Sequence, residues 1–148
     1  MADSIAILED NTARVAAMRG VLNKLLPRCE QVVFDNATDF IDWINEHLAD
    51  AILICLDHDL GPIRLRDGEQ FDPGIGRDVA DVLAMCLVVC SVIVHSSNSI
   101  AVPGMLRVLR ETGWKSSAVM PSDDLRWIDT VWREQIETYI RTGWIVTQ

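Results

Sequence analysis

The eleven residues AILICLDHDLG, numbered 51 to 61, decide the fold of this chain. Residues 51–56 are apolar without alternation, which is typical of a strand buried on both faces in a parallel sheet covered by helices. Two carboxylates and an imidazole, Asp57, His58 and Asp59, follow at once. Ligands bind beyond the carboxyl ends of the strands in an open α/β sheet, so the pattern predicts a functional site directly after residue 56.

Shorter apolar runs elsewhere in the chain alternate with segments of helical periodicity. We predict strands at 4–8, 31–34, 51–56, 91–94 and 115–120, and helices after residue 11, after residue 36 and at 76–87, 102–112 and 123–139. Five successive β-α units predict a doubly wound α/β domain, a flavodoxin-like three-layer sandwich with five parallel strands in the order 2-1-3-4-5. The length of 148 residues suits a single domain, so we expect residues 1–148 to form one.

The connection from Gly61 to Gly76 is long and rich in glycine, proline and charge. Connections of this length are uncommon in compact domains and are typical of lids or mobile segments. Its arginines, Arg64 and Arg66, are expected in solvent, although one of them folding over an anion is the alternative.

Composition limits the classes of partner. The net charge of −9 argues against binding of duplex nucleic acid, which usually requires a basic face. No apolar run is long enough to cross a membrane, and the acidic N-terminus is unlike a signal peptide. The four cysteines form no metal-binding pair, and reduced thiols suit a reducing compartment. We therefore expect a cytoplasmic protein.

Three predicted strands end in polar residues that a parallel sheet brings to one edge. Carboxylate and carbonyl oxygens are the ligands that Mg²⁺ prefers, and Mn²⁺ accepts the same donors. The hypothesis is a metal site with the carboxylates of Glu9, Asp10 and Asp57 and the backbone carbonyl of Asp59 as ligands. The alternative for Glu9 and Asp10 is a purely local role at the start of the following helix.

The same edge contains groups suited to phosphate chemistry. His58 and His95 are two of the three histidines, and an imidazole exchanges protons near neutral pH. Asp57 can act as a nucleophile, and Ser96 and Asn98 can donate hydrogen bonds to phosphate oxygens. The alternatives are structural histidines and polar residues that cap the next helix.

The chain resembles the receiver domain of two-component response regulators. That family has an acidic pair after strand one, a phosphorylated Asp after strand three, a hydroxyl after strand four and Lys-Pro after strand five. Here Glu9-Asp10, Asp57 and Ser96 match, but Met120-Pro121 occupies the Lys-Pro position. A closer resemblance is to the cyclic-phosphate processing receiver domain, through residues 57–61 (Asp-His-Asp-Leu-Gly), 76–79 (Gly-Arg-Asp-Val) and 95–98 (His-Ser-Ser-Asn).

This resemblance implies a metal-assisted phosphoesterase that acts on cyclic phosphates of nucleotides or RNA ends. The residues leave its status as an enzyme open, and the partner we expect is a small phosphorylated substrate. One alternative is a signalling receiver that takes phosphate on Asp57 from a histidine kinase, and another is a non-catalytic interaction module. The late tryptophans also leave a homodimer open, because aromatic residues are enriched at interfaces.

Overall fold

The computed structural model describes residues 3–147. Its main sheet consists of five parallel strands: β1 (Ser4–Leu8), β2 (Glu30–Phe34), β3 (Ala51–Leu56), β6 (Ser91–His95) and β7 (Lys115–Val119). Their order across the sheet is β2-β1-β3-β6-β7. This confirms the predicted doubly wound order, with β6 and β7 as the fourth and fifth strands of the prediction.

Five helices cover the sheet: α1 (Thr12–Leu25), α2 (Ala37–His47), α3 (Gly76–Leu83), α4 (Ala101–Glu111) and α5 (Arg133–Thr142). A 3₁₀ turn at Leu48–Asp50 follows α2, and a π-helical turn at Ile128–Trp132 precedes α5. Helices α1 and α5 pack on one face of the sheet, and α2, α3 and α4 pack on the other.

Alternation along the central strands decides which face each side chain joins. Ile5 and Ile7 pack with α1 and α5, whereas Ala6 and Leu8 pack with α2 to α4. Because side chains alternate with period two, Glu9 continues the row of Ile5 and Ile7 beyond the end of β1. Asp57 continues the row of Leu53 and Cys55 in the same way, on the face of α1 and α5.

Three predicted helix boundaries were wrong, and one of them is the end of the closing helix, which lies at Thr142 rather than at residue 139. Helix α3 ends at Leu83 rather than at residue 87, because Met85 and Leu87 are exposed and their apolar side chains gain no burial by continuing the helix. The closing helix does not begin at 123 under a Ser122 cap. The Asp124 carboxylate accepts the amide hydrogen bond of Arg126 instead, and helical structure starts there.

The long connection after β3 contains a small antiparallel hairpin that the sequence analysis did not predict. Its strands are β4 (Arg64–Arg66) and β5 (Glu69–Phe71). Pro73 and Ile75 then tie the segment to the body: the Pro73 carbonyl accepts from the Ala37 amide, and Ile75 forms a β-bridge with Asp59. Across residues 3–147, none of the helices is long and apolar enough to cross a bilayer.

Candidate metal and phosphate site

Glu9, Asp57 and His95 meet at the carboxyl edge of the sheet, where β1, β3 and β6 end side by side. One ligand atom from each of the three side chains lies within 4.8 Å of the others, and all three residues are buried. The topology explains this convergence, because β3 lies between β1 and β6. The His95 imidazole is therefore within reach of the carboxylates of Glu9 and Asp57.

Glu9 has a full set of partners. Its Oε1 contacts His95 Nε2 at 3.2 Å, and its Oε2 accepts the Asn11 amide hydrogen bond at 3.0 Å. Burial alone would raise the pKa of Glu9, but the hydrogen bond and charge of His95, with Asn11 and Arg14, lower it to about 2. Glu9 is therefore an ionised acceptor, so His95 Nε2 is the donor of their hydrogen bond.

Asp57 is in a less favourable position. Its Oδ1 accepts the His58 amide hydrogen bond at 2.7 Å, and Arg14 Nη1 lies 3.9 Å from its Oδ2. Burial raises the pKa of Asp57 to about 8, and the negative charge of Glu9 adds to the rise. The ionised form of Asp57 is therefore unfavourable next to Glu9 in the absence of a bound cation.

Each of the two imidazoles has a buried ring nitrogen without a hydrogen-bond partner, a feature shared by four other side chains of residues 3–147. Neither His58 Nδ1 nor His95 Nδ1 finds a hydrogen-bond partner among residues 3–147, although both atoms are buried. The His95 ring stacks on Trp127, with 5.9 Å between the ring centroids. A buried unpaired nitrogen is costly, so both atoms are suited to a ligand that brings its own donor or acceptor.

Arg14, which the sequence analysis did not single out, also belongs to the site. Its Nη1 lies 3.4 Å from Glu9 Oε1, and its guanidinium carbon lies 5.4 Å from the centre of the Trp127 ring. The Asn11 side chain caps α1 by accepting from the Arg14 amide, which places Arg14 in the first turn beside the acidic pair. The cap predicts that Arg14 lies in the first turn of α1, but not that its side chain reaches the site.

The other predicted ligands lie around the buried group. Asp10 is exposed, and partial burial together with the charge of Glu9 raises its pKa. The Asp59 carboxylate accepts a hydrogen bond from the Asn98 side chain at 3.3 Å. Neither carboxylate is part of the buried group of Glu9, Asp57 and His95.

Ser96 and Asn98, predicted to bind phosphate, make local contacts. The Ser96 hydroxyl accepts the Asn98 amide hydrogen bond at 3.1 Å. The Asn98 side-chain oxygen accepts from the amides of Ile100 and Ala101, and so caps α4. The Asn98 oxygen therefore serves the helix, which was the alternative from sequence, and a phosphate role for either residue stays a prediction.

Gly76 explains part of the Gly-Arg-Asp-Val motif. A Cβ atom on Gly76 would overlap the Asp57 carbonyl oxygen and lie 2.8 Å from its carbonyl carbon. The Gly76 amide donates to the His58 carbonyl, and the Asp78 side chain accepts from the Ile75 amide. The motif thus allows the start of α3 to pack directly against the backbone of Asp57 and His58.

The hairpin arginines bind the start of α2. Arg64 pairs with Asp35 at 2.8 Å and Arg66 pairs with Asp39 at 3.1 Å, while both guanidinium groups lie over Phe71. An open cavity of about 380 Å³ borders these two acids, and its wall also includes Glu9 and Asp10. Arg66 is exposed and Arg64 is partly exposed, in agreement with the expected solvent-facing loop, and both form surface ion pairs next to the site.

The donor set fits a divalent cation. Two buried carboxylates repel each other when both are ionised, and the raised pKa of Asp57 reflects that repulsion and its burial. A cation held by Glu9 and Asp57 would relieve the repulsion, with Asp10 at the exposed edge. His95 orients the Glu9 carboxylate through its Nε2 hydrogen bond, in the manner of residues that support metal ligands.

Fold and site together define a receiver-like domain of the response-regulator type. Solved structures with this fold include the phosphorylated cyanobacterial phytochrome response regulator RcpA (17% identity, TM-score 0.68, 96% of each chain covered). Another is a response regulator receiver domain from Rhodospirillum rubrum (10% identity, TM-score 0.66), and the match includes 98% of this chain and 99% of that domain. The Mn²⁺-bound form of response regulator Rcp1 (13% identity, TM-score 0.63) matches over 99% of each chain.

The family is narrower than the fold. The model of the cyclic-phosphate processing receiver domain matches residues 5–111, and the chain belongs to that family. This confirms the resemblance noted in the sequence. Comparison with curated proteins gives no significant match.

Proposed function

We propose that this domain hydrolyses a cyclic phosphodiester on a nucleotide or an RNA end, with the help of a divalent cation. The observation that carries the proposal is the pair of buried imidazole Nδ1 atoms, on His58 and His95, without a partner among residues 3–147. Leaving such an atom unpaired costs about 1–3 kcal/mol, which a phosphate ligand and its water would recover.

Metal binding is assigned to Glu9 and Asp57, with Asp10 and the Asp59 carbonyl completing the oxygen donors. Mg²⁺ or Mn²⁺ bound there supplies the positive charge that draws a phosphate into an acidic site. Ser96 and Asn98 lie at the end of β6, and we assign them contacts to the phosphate oxygens.

Ring opening requires a base and an acid. The oxygen of a water molecule forms a new bond to phosphorus, one phosphorus–oxygen ester bond breaks, and the leaving alkoxide takes a proton. We assign the proton of the water to neutral His95, and Glu9, hydrogen-bonded to its Nε2, stabilises the resulting imidazolium. His58, on the neighbouring strand end, is assigned the proton that goes to the alkoxide.

The test is turnover of 2′,3′-cyclic nucleotides with Mg²⁺ or Mn²⁺ by the wild type and by His58→Asn and His95→Asn. Each variant is expected to lose about 10²-fold or more in kcat, the usual contribution of one proton-transfer group. His47→Asn, at an exposed position on α2, is the matched control and should turn over normally. Wild-type turnover by either site variant would remove that histidine from the mechanism.

A second function is favoured by one contact of Asp57. Oδ1 accepts from the His58 amide, while the nearest recorded cation to Oδ2 is Arg14 at 3.9 Å, which leaves Oδ2 suited to accept a phosphoryl group. In that function a histidine kinase or a small phosphodonor phosphorylates Asp57. Mass spectrometry after treatment with acetyl phosphate tests it: an adduct of one phosphoryl group, absent from Asp57→Asn, would favour signalling.

Absence of Mg²⁺ and Mn²⁺ binding by titration calorimetry would contradict both functions. It would favour the remaining alternative, a receiver-like module that acts only through protein contacts.

A further inference from the structure

The lysine that contacts the phosphoryl group in response-regulator receivers is missing here. Met120 takes its position, directly after β7, and 59% of its surface is exposed. A thioether carries no charge and cannot donate to a phosphate oxygen. A site for phosphate at this edge therefore needs a cation from another element.

Arg14 is placed to supply that cation from α1. Its Nη1 lies 3.4 Å from Glu9 Oε1 and 3.9 Å from Asp57 Oδ2. Both distances exceed the ~2.7–2.9 Å of a well-formed charge-assisted hydrogen bond. The guanidinium thus lies near both carboxylates but forms a short, well-formed hydrogen bond with neither of them.

Trp127 holds this guanidinium from the other side. The guanidinium carbon lies 5.4 Å from the centre of the Trp127 ring, within the range of a cation–π contact. Trp127 is itself buried and stacks on His95. The arginine is therefore positioned by an aromatic ring that belongs to the same cluster, and its side chain keeps 23% exposure.

We propose that Arg14 is the residue that binds the phosphate of the substrate, in place of the lysine that receivers have after their last strand. This inference rests on the proposed function for the presence of a phosphate at the site. Arg14 exchanges its long contacts to Glu9 and Asp57 for phosphate oxygens once those carboxylates are engaged by a divalent cation. A planar guanidinium can bind two phosphate oxygens at once, which a lysine ammonium cannot do with the same geometry.

The experiment measures binding rather than turnover. Inorganic phosphate is titrated calorimetrically into the protein at saturating Mg²⁺, and Mg²⁺ is titrated separately without phosphate. Arg14→Gln is expected to weaken phosphate binding by about tenfold or more, the usual effect of losing a charged hydrogen bond. Mg²⁺ binding should be unchanged or tighter, because a positive charge next to Glu9 and Asp57 has been removed.

Two further variants separate charge from geometry and from general effects. Arg14→Lys keeps the positive charge but loses the planar guanidinium that can bind two phosphate oxygens at once. Its phosphate affinity should therefore fall between those of the wild type and Arg14→Gln. Arg19→Gln, at an exposed position on the same helix whose arginine contacts Gln31, is the matched control and should bind both ligands normally. If Arg14→Gln does not fold, judged by its circular dichroism, Arg14→Lys decides the question.

The proposal is overturned if Arg14→Gln binds phosphate as the wild type does, if phosphate and Mg²⁺ binding weaken in parallel, or if the wild type binds no phosphate. Full phosphate affinity in Arg14→Lys overturns the bidentate geometry. The outcome is independent of the enzymatic proposal: Arg14-dependent phosphate binding without turnover of cyclic nucleotides would contradict the proposed function and leave the role of Arg14 intact.

Discussion

Replacing Asp57 by Asn should stabilise the metal-free protein, although Asp57 lies at the centre of the site. Asn is nearly isosteric and keeps the side-chain oxygen that accepts the His58 amide hydrogen bond at 2.7 Å. The substitution removes only the negative charge that burial and Glu9 make unfavourable.

The direction with pH follows from the two pKa values. Burial and then Glu9 raise the pKa of Asp57 from 3.8 to about 8 in the folded protein. A group whose pKa is higher in the folded than in the unfolded protein binds its proton more tightly when folded. The stability of the protein is therefore highest when the pH is below the unfolded pKa, and it falls as the pH rises to the folded pKa. The full difference corresponds to about 6 kcal/mol above pH 8, and we expect relaxation around the buried charge to reduce it to about 2–3 kcal/mol.

Urea unfolding in EDTA, followed by tryptophan fluorescence, measures this effect at about pH 4, 6 and 8. Asp57→Asn and the wild type should be equally stable near pH 4, and the variant should be more stable by about 2–3 kcal/mol near pH 8. Asp42→Asn, an exposed carboxylate on α2, controls for the loss of one negative charge. Added Mg²⁺ should stabilise the wild type more than Asp57→Asn, since a ligand of the folded state stabilises it by an amount that rises with the logarithm of its affinity.

Equal stability of the two proteins at pH 8 would refute the reasoning. So would a variant less stable than the wild type by the same amount at every pH. Either result would mean that Arg14 and the His58 amide compensate the charge of Asp57 in full.

Three further perturbations test separate parts of the structure. Gly76→Ala should lower the free energy of unfolding by about 3 kcal/mol or more, because its Cβ would overlap the Asp57 carbonyl. Gly20→Ala, which has open space on α1, should raise that free energy by about 0.5–1 kcal/mol. The midpoints of urea unfolding compare the two variants with the wild type. Asn98→Ala should cost about 1 kcal/mol of unfolding free energy through loss of the α4 cap. Asn98→Asp should restore only part of it, because it caps the helix but places a second carboxylate against Asp59. His95 and its neighbours outweigh burial and lower the pKa of Glu9 from 4.5 to about 2, so wild-type stability should fall as pH drops through that window, by up to about 3 kcal/mol. Glu9→Gln should lack this slope in acid titrations, and an unchanged slope would assign it to other carboxylates.

The sheet could be predicted from the sequence because its central strands are continuous apolar runs. Residues 51–56 are buried along their whole length, as that pattern requires. The end of α3 could not be predicted in the same way. Met85 and Leu87 extend the apolar pattern of the helix, but both are exposed, and composition alone does not reveal which apolar residues find a partner.

The hairpin β4–β5 had a signal that was missed. Asp67-Gly68 links its two strands with φ of 52° and 80°, and an Asp-Gly pair with both residues at positive φ is typical of a two-residue hairpin turn. The strands on either side are three residues long and half of their residues are charged, so they lack the apolar alternation that normally marks a hairpin.

The residues of the candidate site that follow strands could be predicted from the sequence, and those that come from helical segments could not. Glu9, Asp57 and His95 follow strands, and the order of the sheet alone brings strand ends together. Arg14 and Trp127 reach the site from α1 and from the segment before α5. Their arrival depends on how two helical segments pack across the sheet and on the reach of long side chains, which spacing along the chain does not encode.

The contact between Gly76 and Asp57 ties the chemistry to a distant surface. At this point two backbones touch with no side chain between them to absorb a displacement. A shift of the Asp57 carbonyl by a few tenths of an ångström must therefore be passed to the first turn of α3. Helix α3 packs in turn against α4. A ligand that displaced the Asp57 backbone would therefore be expected to move α3, and with it the packing of α3 against α4.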